Sequence, residues 1–256
     1  MPATISPTIT YAAKGHRAYL TLMREAAHNR LRESDLVQLE TLIEEINQAE
    51  DIRVAILTGS GSKCFCAGFE ISDIEATDWQ DNQFGRTIGR LEAARPAVIC
   101  ALNGSVYGGA CEIALACDFR IGVSGMEMRM PPAKLGLIYF APGLKRLVSR
   151  IGLGATKRLL LTAETMDAET LLEIGFLDRL VAPEALATES EALAARIEAL
   201  SPLAVQGMKK LLNDIAAGEL DAAAAERSAL ATFRSEEAKE SIRAFKEKRT
   251  PRFSGR

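Results

Sequence analysis

The chain has 256 residues, 48% of them hydrophobic and 25% charged, and carries a net charge of −3 at pH 7. This supplies a sizeable core for one large domain, and the acidic balance argues against the clustered Lys/Arg surface of a nucleic-acid binder. No run approaches the ~20 apolar residues of a membrane span. Residues 1–10 lack the basic and apolar regions of a secretory signal, so a cytoplasmic protein is expected.

In chain order, Ile5 to Thr10 and Ala18 to Leu22 flank Lys14-Gly15-His16-Arg17 and predict a β-hairpin. Residues 29–48 place Leu36, Leu39, Ile43 and Ile46 at helical spacing. The apolar run Val54 to Leu57 reads as a strand, followed by a loop from Thr58 to Lys63. Gly59-Ser60-Gly61-Ser62-Lys63 has neither the spacing of a P-loop nor the third glycine of a dinucleotide fingerprint. Gln83 to Ala94 predicts a helix ending near Pro96, and Val98 to Leu102 a further strand. Strand, loop and helix alternate through residue 120, as in right-handed βα crossover units. From Ile151 onward the pattern is helical: Ala155 to Leu161, Ala168 to Ile174, Glu184 to Ala199, Pro202 to Ala217 and Leu220 to Lys248.

The five cysteines lie within apolar runs and read as buried reduced thiols. Cys64 and Cys66 form a C-x-C pair, but neither His16 nor His28 is spaced to complete a zinc site, so no metal is expected. No G-x-S-x-G elbow occurs, which argues against a serine triad.

Chemistry concentrates in two glycine-bearing segments, Cys66-Ala67-Gly68-Phe69-Glu70 and Tyr107-Gly108-Gly109-Ala110-Cys111-Glu112. Glycine allows a backbone to approach a ligand closely, and a helix start leaves N–H groups without intrahelical acceptors. Two such N–H groups aimed at one thioester oxygen would form an oxyanion hole with a helix dipole behind it.

The stretch Lys63 to Ile71 resembles the first signature of the enoyl-CoA hydratase/isomerase (crotonase) superfamily, and Ala101 to Asp118 resembles the second. The likeness continues through Pro131 to Leu147, Ala168 to Val181 and Phe245 to Arg249. It implies an α/β fold, a spiral of ββα repeats with a C-terminal helical region. Residues 1–195 would form the acyl-CoA-binding core and 196–256 an oligomerisation region, giving a homotrimer or hexamer. No separate cofactor is implied, coenzyme A being part of the substrate.

By the same resemblance, the oxyanion donors would be the backbone N–H groups of Phe69 and Gly109, and Glu112 matches the first of two hydratase glutamates. The second would fall at Pro132, in Pro131-Pro132-Ala133-Lys134-Leu135-Gly136-Leu137, and is missing. Glu127 lies near enough in sequence to be an alternative acid. Tyr139 stands where many members carry proline; this segment is similar to methylmalonyl-CoA decarboxylase-like members, although those have histidine at the place of Phe69. Coenzyme A would lie along Asn29, Arg30 and Leu31 and along Cys66, Ala67, Gly68 and Ile71. The basic run Lys246 to Arg252 would be a solvated tail or a phosphate contact. Residues 72–85, with Asp73, Trp79 and Asp81, are expected as a mobile acyl-side loop, with Phe69, Trp79 or Phe84 lining an apolar pocket. The expected function is a lyase-type acyl-CoA enzyme that stabilises a thioester enolate. The alternatives are a decarboxylase of the methylmalonyl-CoA type and a non-catalytic acyl-CoA binder.

Overall fold

In the computed structural model, residues 7–70 and 81–255 are described. The hairpin is formed by β1 (Ile9–Lys14) and β2 (Arg17–Leu22), antiparallel, with Gly15 at φ 59° in the turn. The first strand thus runs later than the sequence pattern suggests and extends to the turn itself. The helix expected from residue 29 begins later, as α1 (Glu33–Gln48). His28 and Asn29 both adopt left-handed backbone conformations, which a helix cannot include. All four apolar positions read from the helical spacing are buried.

The repeat is plain in three dimensions. Each unit sends one strand to a six-stranded sheet, the next to a four-stranded sheet, and then returns. The first unit is β3 (Val54–Gly59), β4 (Cys64–Cys66) and α2 (Gln83–Glu92). The second is β5 (Ala97–Leu102), β6 (Ser105–Tyr107) and α3 (Gly109–Ala116). The third is β7 (Phe119–Val123) and β8 (Glu127–Arg129), leading to α4 (Ala141–Lys157). The large sheet has the order β1-β2-β3-β5-β7-β10, with β10 at Arg179–Val181. The small sheet has the order β4-β6-β8-β9, with β9 at Met166–Asp167. From β2 to β10 every neighbour in the large sheet is parallel. Its central strand β5 is buried at every position, as expected of a parallel strand covered on both faces.

The C-terminal half holds α5 (Ala168–Glu173), α6 (Leu186–Glu198), α7 (Pro202–Ala217), α8 (Ala222–Thr232) and α9 (Glu236–Lys246). Helix α6 packs on β3, β5 and β7, burying Leu186, Ala194 and Ile197. The expected boundary between residues 195 and 196 therefore falls inside a helix that runs on to Glu198 and serves the core. The single helix expected over 220–248 is broken at Ser235, whose side chain accepts from the Ala238 N–H and caps α9. The short strand β10 was not evident in the sequence, because three partly buried residues give no alternation to read.

All five cysteines are free and buried. Burial raises the Cys66 thiol to about 12 and Cys64 to about 11. Among the described residues no helix is long and apolar enough to cross a membrane.

Gly104 lies in the turn that carries the chain from β5 in the large sheet to β6, which pairs with β4 in the small sheet. A Cβ on Gly104 would fall 2.6 Å from the Cys64 nitrogen and against the Lys63 carbonyl, both backbone and unable to step aside. Gly104→Ala is therefore expected to cost about 1–3 kcal/mol by overpacking, read as a lower urea midpoint with an unchanged slope.

Candidate active site

The two glycine segments meet. Gly68, at φ 86°, lies so close to the second segment that a Cβ there would sit 2.7 Å from the Tyr107 carbonyl oxygen and 3.1 Å from the Gly109 nitrogen. Gly108 takes φ 56°, ψ −131°, a conformation open in practice to glycine alone, and its N–H donates to the Arg129 carbonyl at 2.9 Å. Gly109 then opens α3, so its N–H has no acceptor within the helix. The Phe84 ring lies over it: a Cβ on Gly109 would reach 2.8 Å from Cζ.

The Arg30 segment is stitched alongside the first glycine segment. The Ala67 N–H donates to the His28 carbonyl at 2.9 Å, the Leu31 N–H to the Gly68 carbonyl at 2.9 Å, and the Glu70 N–H to the Leu31 carbonyl at 2.8 Å. Asn29, 1% exposed, ties the turn from inside through its amide to the Ser60 and Cys64 carbonyls. Its left-handed backbone is one that asparagine tolerates better than most residues.

A cavity of about 710 Å³ opens over this junction. Phe69, Phe84, Gly109, Glu112, Pro132 and Tyr139 line it, with Arg30 and Ala67 also on its wall. Leu31, Cys66 and Gly68 are not on that wall; Leu31 and Cys66 are buried, and these residues shape the site through backbone and packing. Ile71, Asp73 and Trp79 lie outside the described residues. The loop expected to reach residue 85 ends sooner, because the Asn82 side chain accepts from the Gly85 N–H and starts α2. Arg30 is paired with Glu70 at 2.8 Å, so its charge is already partly met. The basic tail is absent from the cavity wall, and Arg249 is engaged by Glu240 and Glu247. Glu127 does not reach the cavity wall either: it accepts from the Tyr107 hydroxyl at 2.7 Å.

Glu112 sits in the first turn of α3, only 3% exposed, with both oxygens engaged. The Tyr139 hydroxyl donates to Oε2 at 2.6 Å, and Arg146 forms a short ion pair with Oε1. Burial pushes the carboxyl above its ordinary value; the Tyr139 hydrogen bond and the Arg146 charge pull the other way, and Glu92 pushes up again. Burial, and then the Glu112 carboxylate, raise the Tyr139 phenol well above its usual range, so it stays a donor. Arg146, Arg150 and Glu92, linked to Glu112 by ion pairs, are residues that the sequence reading missed. The signal available was Arg146 and Arg150, spaced i,i+4 on a helix face that also carries the apolar Leu147 and Ile151.

Two sheets wound in a ββα spiral, with a buried carboxylate beside a glycine-opened helix, define a protein of the crotonase fold. The chain belongs to the enoyl-CoA hydratase/isomerase family, whose sequence profile matches residues 14–256. It is 34% identical over 243 residues to a short-chain-enoyl-CoA hydratase of Clostridium acetobutylicum, covering 92% of this chain and 93% of that one. It is 34% identical over 245 residues to a crotonyl-CoA hydratase of Syntrophomonas wolfei, covering 92% and 94%. A crystal structure of enoyl-CoA hydratase from Bacillus anthracis superposes with a TM-score of 0.89 at 29% identity, covering 97% of this chain and all (100%) of that one.

Gly143, in the first turn of α4, leaves room for the Tyr139–Glu112 pair. A Cβ there would collide with the Tyr139 ring and come within 2.8 Å of Glu112 Oε2. Gly143→Ala is expected to cost about 1–3 kcal/mol. In a double-mutant cycle with Tyr139→Ala the two losses should fall short of additive by about 0.5 kcal/mol or more, since the ring that obstructs the methyl is gone.

Proposed function

We propose that the protein acts on an acyl-CoA thioester, with the backbone N–H groups of Phe69 and Gly109 receiving the thioester oxygen as it gains charge. Removal of one such donor typically costs about 2.7–4 kcal/mol in acyl-transfer enzymes. Glu112 is the carboxylate that moves a proton at the α-carbon, and Tyr139 orients it. The names of the relatives support a lyase acting on enoyl thioesters.

One observation carries the finer reading. Among the described residues lining the cavity, Glu112 is the one carboxylate, because Pro132 occupies the place of a second. Hydration asks for a held water and a delivered proton, and each general acid–base contribution is worth roughly 10²–10⁴-fold. With Glu112 the one carboxylate among the described lining residues, the reading favours enolate formation over water addition. Decarboxylation of a malonyl-type thioester is the second reading, favoured by Pro132 and Tyr139: the C–C bond breaks, its electron pair passes into the thioester as the enolate, carbon dioxide leaves, and a proton is added at carbon.

Association of copies is part of the same proposal. The C-terminal helices expose Met208, Leu212, Ile215, Phe233 and Phe245, the last at 86%. Covering such side chains favours association of copies, and the resemblance to the family adds the expectation of a trimer or a dimer of trimers. Sedimentation is expected to give the mass of three or six chains, and a stable monomer at micromolar concentration overturns this assembly.

Incubation with crotonyl-CoA and with methylmalonyl-CoA, following products, tests the reaction. Crotonyl-CoA hydration is expected below about 10 per second, a typical enzyme rate; a faster rate refutes the importance of the missing glutamate. Gly109→Pro, which removes one donor outright, should lose about 10²–10³-fold in turnover while remaining folded. Glu112→Gln should lose about 10²–10⁴-fold, whereas a pure acyl-CoA binder would lose nothing.

The pH profile follows from the same residue. Glu112 acts as a base only when ionised, so turnover should fall as pH drops through its pKa. Burial raises that pKa, so the fall begins at a higher pH than an exposed glutamate would give.

A further inference from the structure

Glu92 is the last residue of α2, where the helix dipole disfavours an acid. Its surroundings explain it. Arg146 Nη2 meets Glu92 Oε2 at 2.7 Å, and Arg150 Nη2 lies 3.4 Å from Oε1. The Asn213 amide of α7 donates to the Glu92 carbonyl at 3.1 Å and accepts from Arg150 at 3.1 Å. Charges therefore alternate along the series Arg150, Glu92, Arg146, Glu112, whose outer two members are comparably half-buried. Exposure of the three inner side chains falls from 26% at Glu92 to 7% at Arg146 and 4% at Glu112.

Among the described residues the Arg146 guanidinium is held by this fork alone. Its two terminal nitrogens go to the two carboxylates, while its buried Nε finds no acceptor among the described residues. Burial works against its charge, but the two glutamates outweigh burial and keep the guanidinium protonated. Breaking such a pair leaves a buried charge uncompensated, so the arrangement is maintained only as a whole.

We propose that Arg146, aimed by Glu92, is a positioning residue that holds Glu112 ionised and turned toward Tyr139, so that Glu112 serves as a base. The inference rests on Glu112 being the reacting carboxylate. The groups facing Glu112 are Tyr139 from the segment before α4, Arg146 from α4 and Glu92 from α2; Arg150 reaches Glu92 and Asn213 but not Glu112. Cys111, its neighbour on α3, is kept neutral by burial. Arg146 and Glu92 act on Glu112 in opposite senses: the cation favours its anion, and the second carboxylate opposes it.

That opposition provides the test. Glutamate ¹³Cδ resonances of the full chain are titrated by NMR, with Glu112 assigned through Glu112→Gln, and the pH dependence of kcat and KM is measured on the thioester that the protein turns over. Glu92→Gln should move the Glu112 midpoint and the acid limb of kcat to lower pH. Arg146→Met should move both to higher pH, and Arg146→Lys should restore them toward the wild-type position. KM should change little, because none of these side chains except Glu112 lines the cavity. A merely structural role would lower kcat without moving the midpoint, and unchanged or same-direction midpoints overturn the proposal. If Arg146→Met does not fold, Glu92→Gln decides alone: a downward shift supports the assignment, and no shift or an upward one overturns it. If the midpoints move as expected yet no thioester is turned over, the functional reading fails while the electrostatic role of Arg146 stands.

Discussion

The site depends on one close approach of two backbones. Gly68 and the Gly108–Gly109 step come together at distances no side chain tolerates, with 2.7 Å from an imagined Cβ to a carbonyl oxygen. That contact decides where α3 begins, which way its first N–H groups face, and how Glu112 is carried beneath the cavity. Two of the three glycines, Gly68 and Gly108, use positive φ, so local strain that other residues would suffer is absent. The parallel sheets supply the rigid frame; the glycines supply the space.

Charge burial is the second constraint. Several ion pairs fix neighbouring elements on one another: Arg24 with Asp35 at 2.8 Å locally, and, far apart in sequence, Lys209 with Asp118 at 2.7 Å and Arg146 with Glu92 and Glu112. Desolvating such groups is costly, and their mutual attraction offsets it only with good geometry and further hydrogen bonds. Lys209 has that support, donating also to the Pro96 carbonyl at 2.9 Å. Asp35 has it too, accepting from the Thr8 hydroxyl and from the Arg32 backbone. These pairs contribute less to net stability than to fixing which elements touch, as the apolar core alone would admit sliding of helices over the sheets.

Much of this was legible in the sequence where periodicity or glycine spacing was strong. The apolar face of α1, the strand β5 and the glycine-opened helix α3 follow from local pattern, and the resemblance ordered them into a spiral. Other features had no local signature. The delayed start of α1 comes from two left-handed residues that the Asn29 amide stabilises through contacts 31 and 35 residues away. Arg146 and Glu92 are 54 residues apart, and their meeting is a product of helix packing. Pro132 was visible as a departure, but that Glu127 turns to Tyr107 and away from the described part of the cavity wall is a fact of strand register.

The C-terminal helices are anchored unevenly. Helix α7 is locked to the core through Lys209, and α9 to the start of α7 and the chain end through Glu237, which accepts from Ser201 and from the Gly255 N–H. The end of the chain is clasped as well, the Phe253 carbonyl accepting from Arg53 at 2.6 Å. Between these anchors α8 buries no residue at all. Opening free energy along a chain follows buried apolar contact and protected hydrogen bonds. In a single chain, amide exchange through residues 222–232 would therefore proceed by local fraying while the helices on either side still exchange with the core, and a partner covering this segment would register first as protection of its amides.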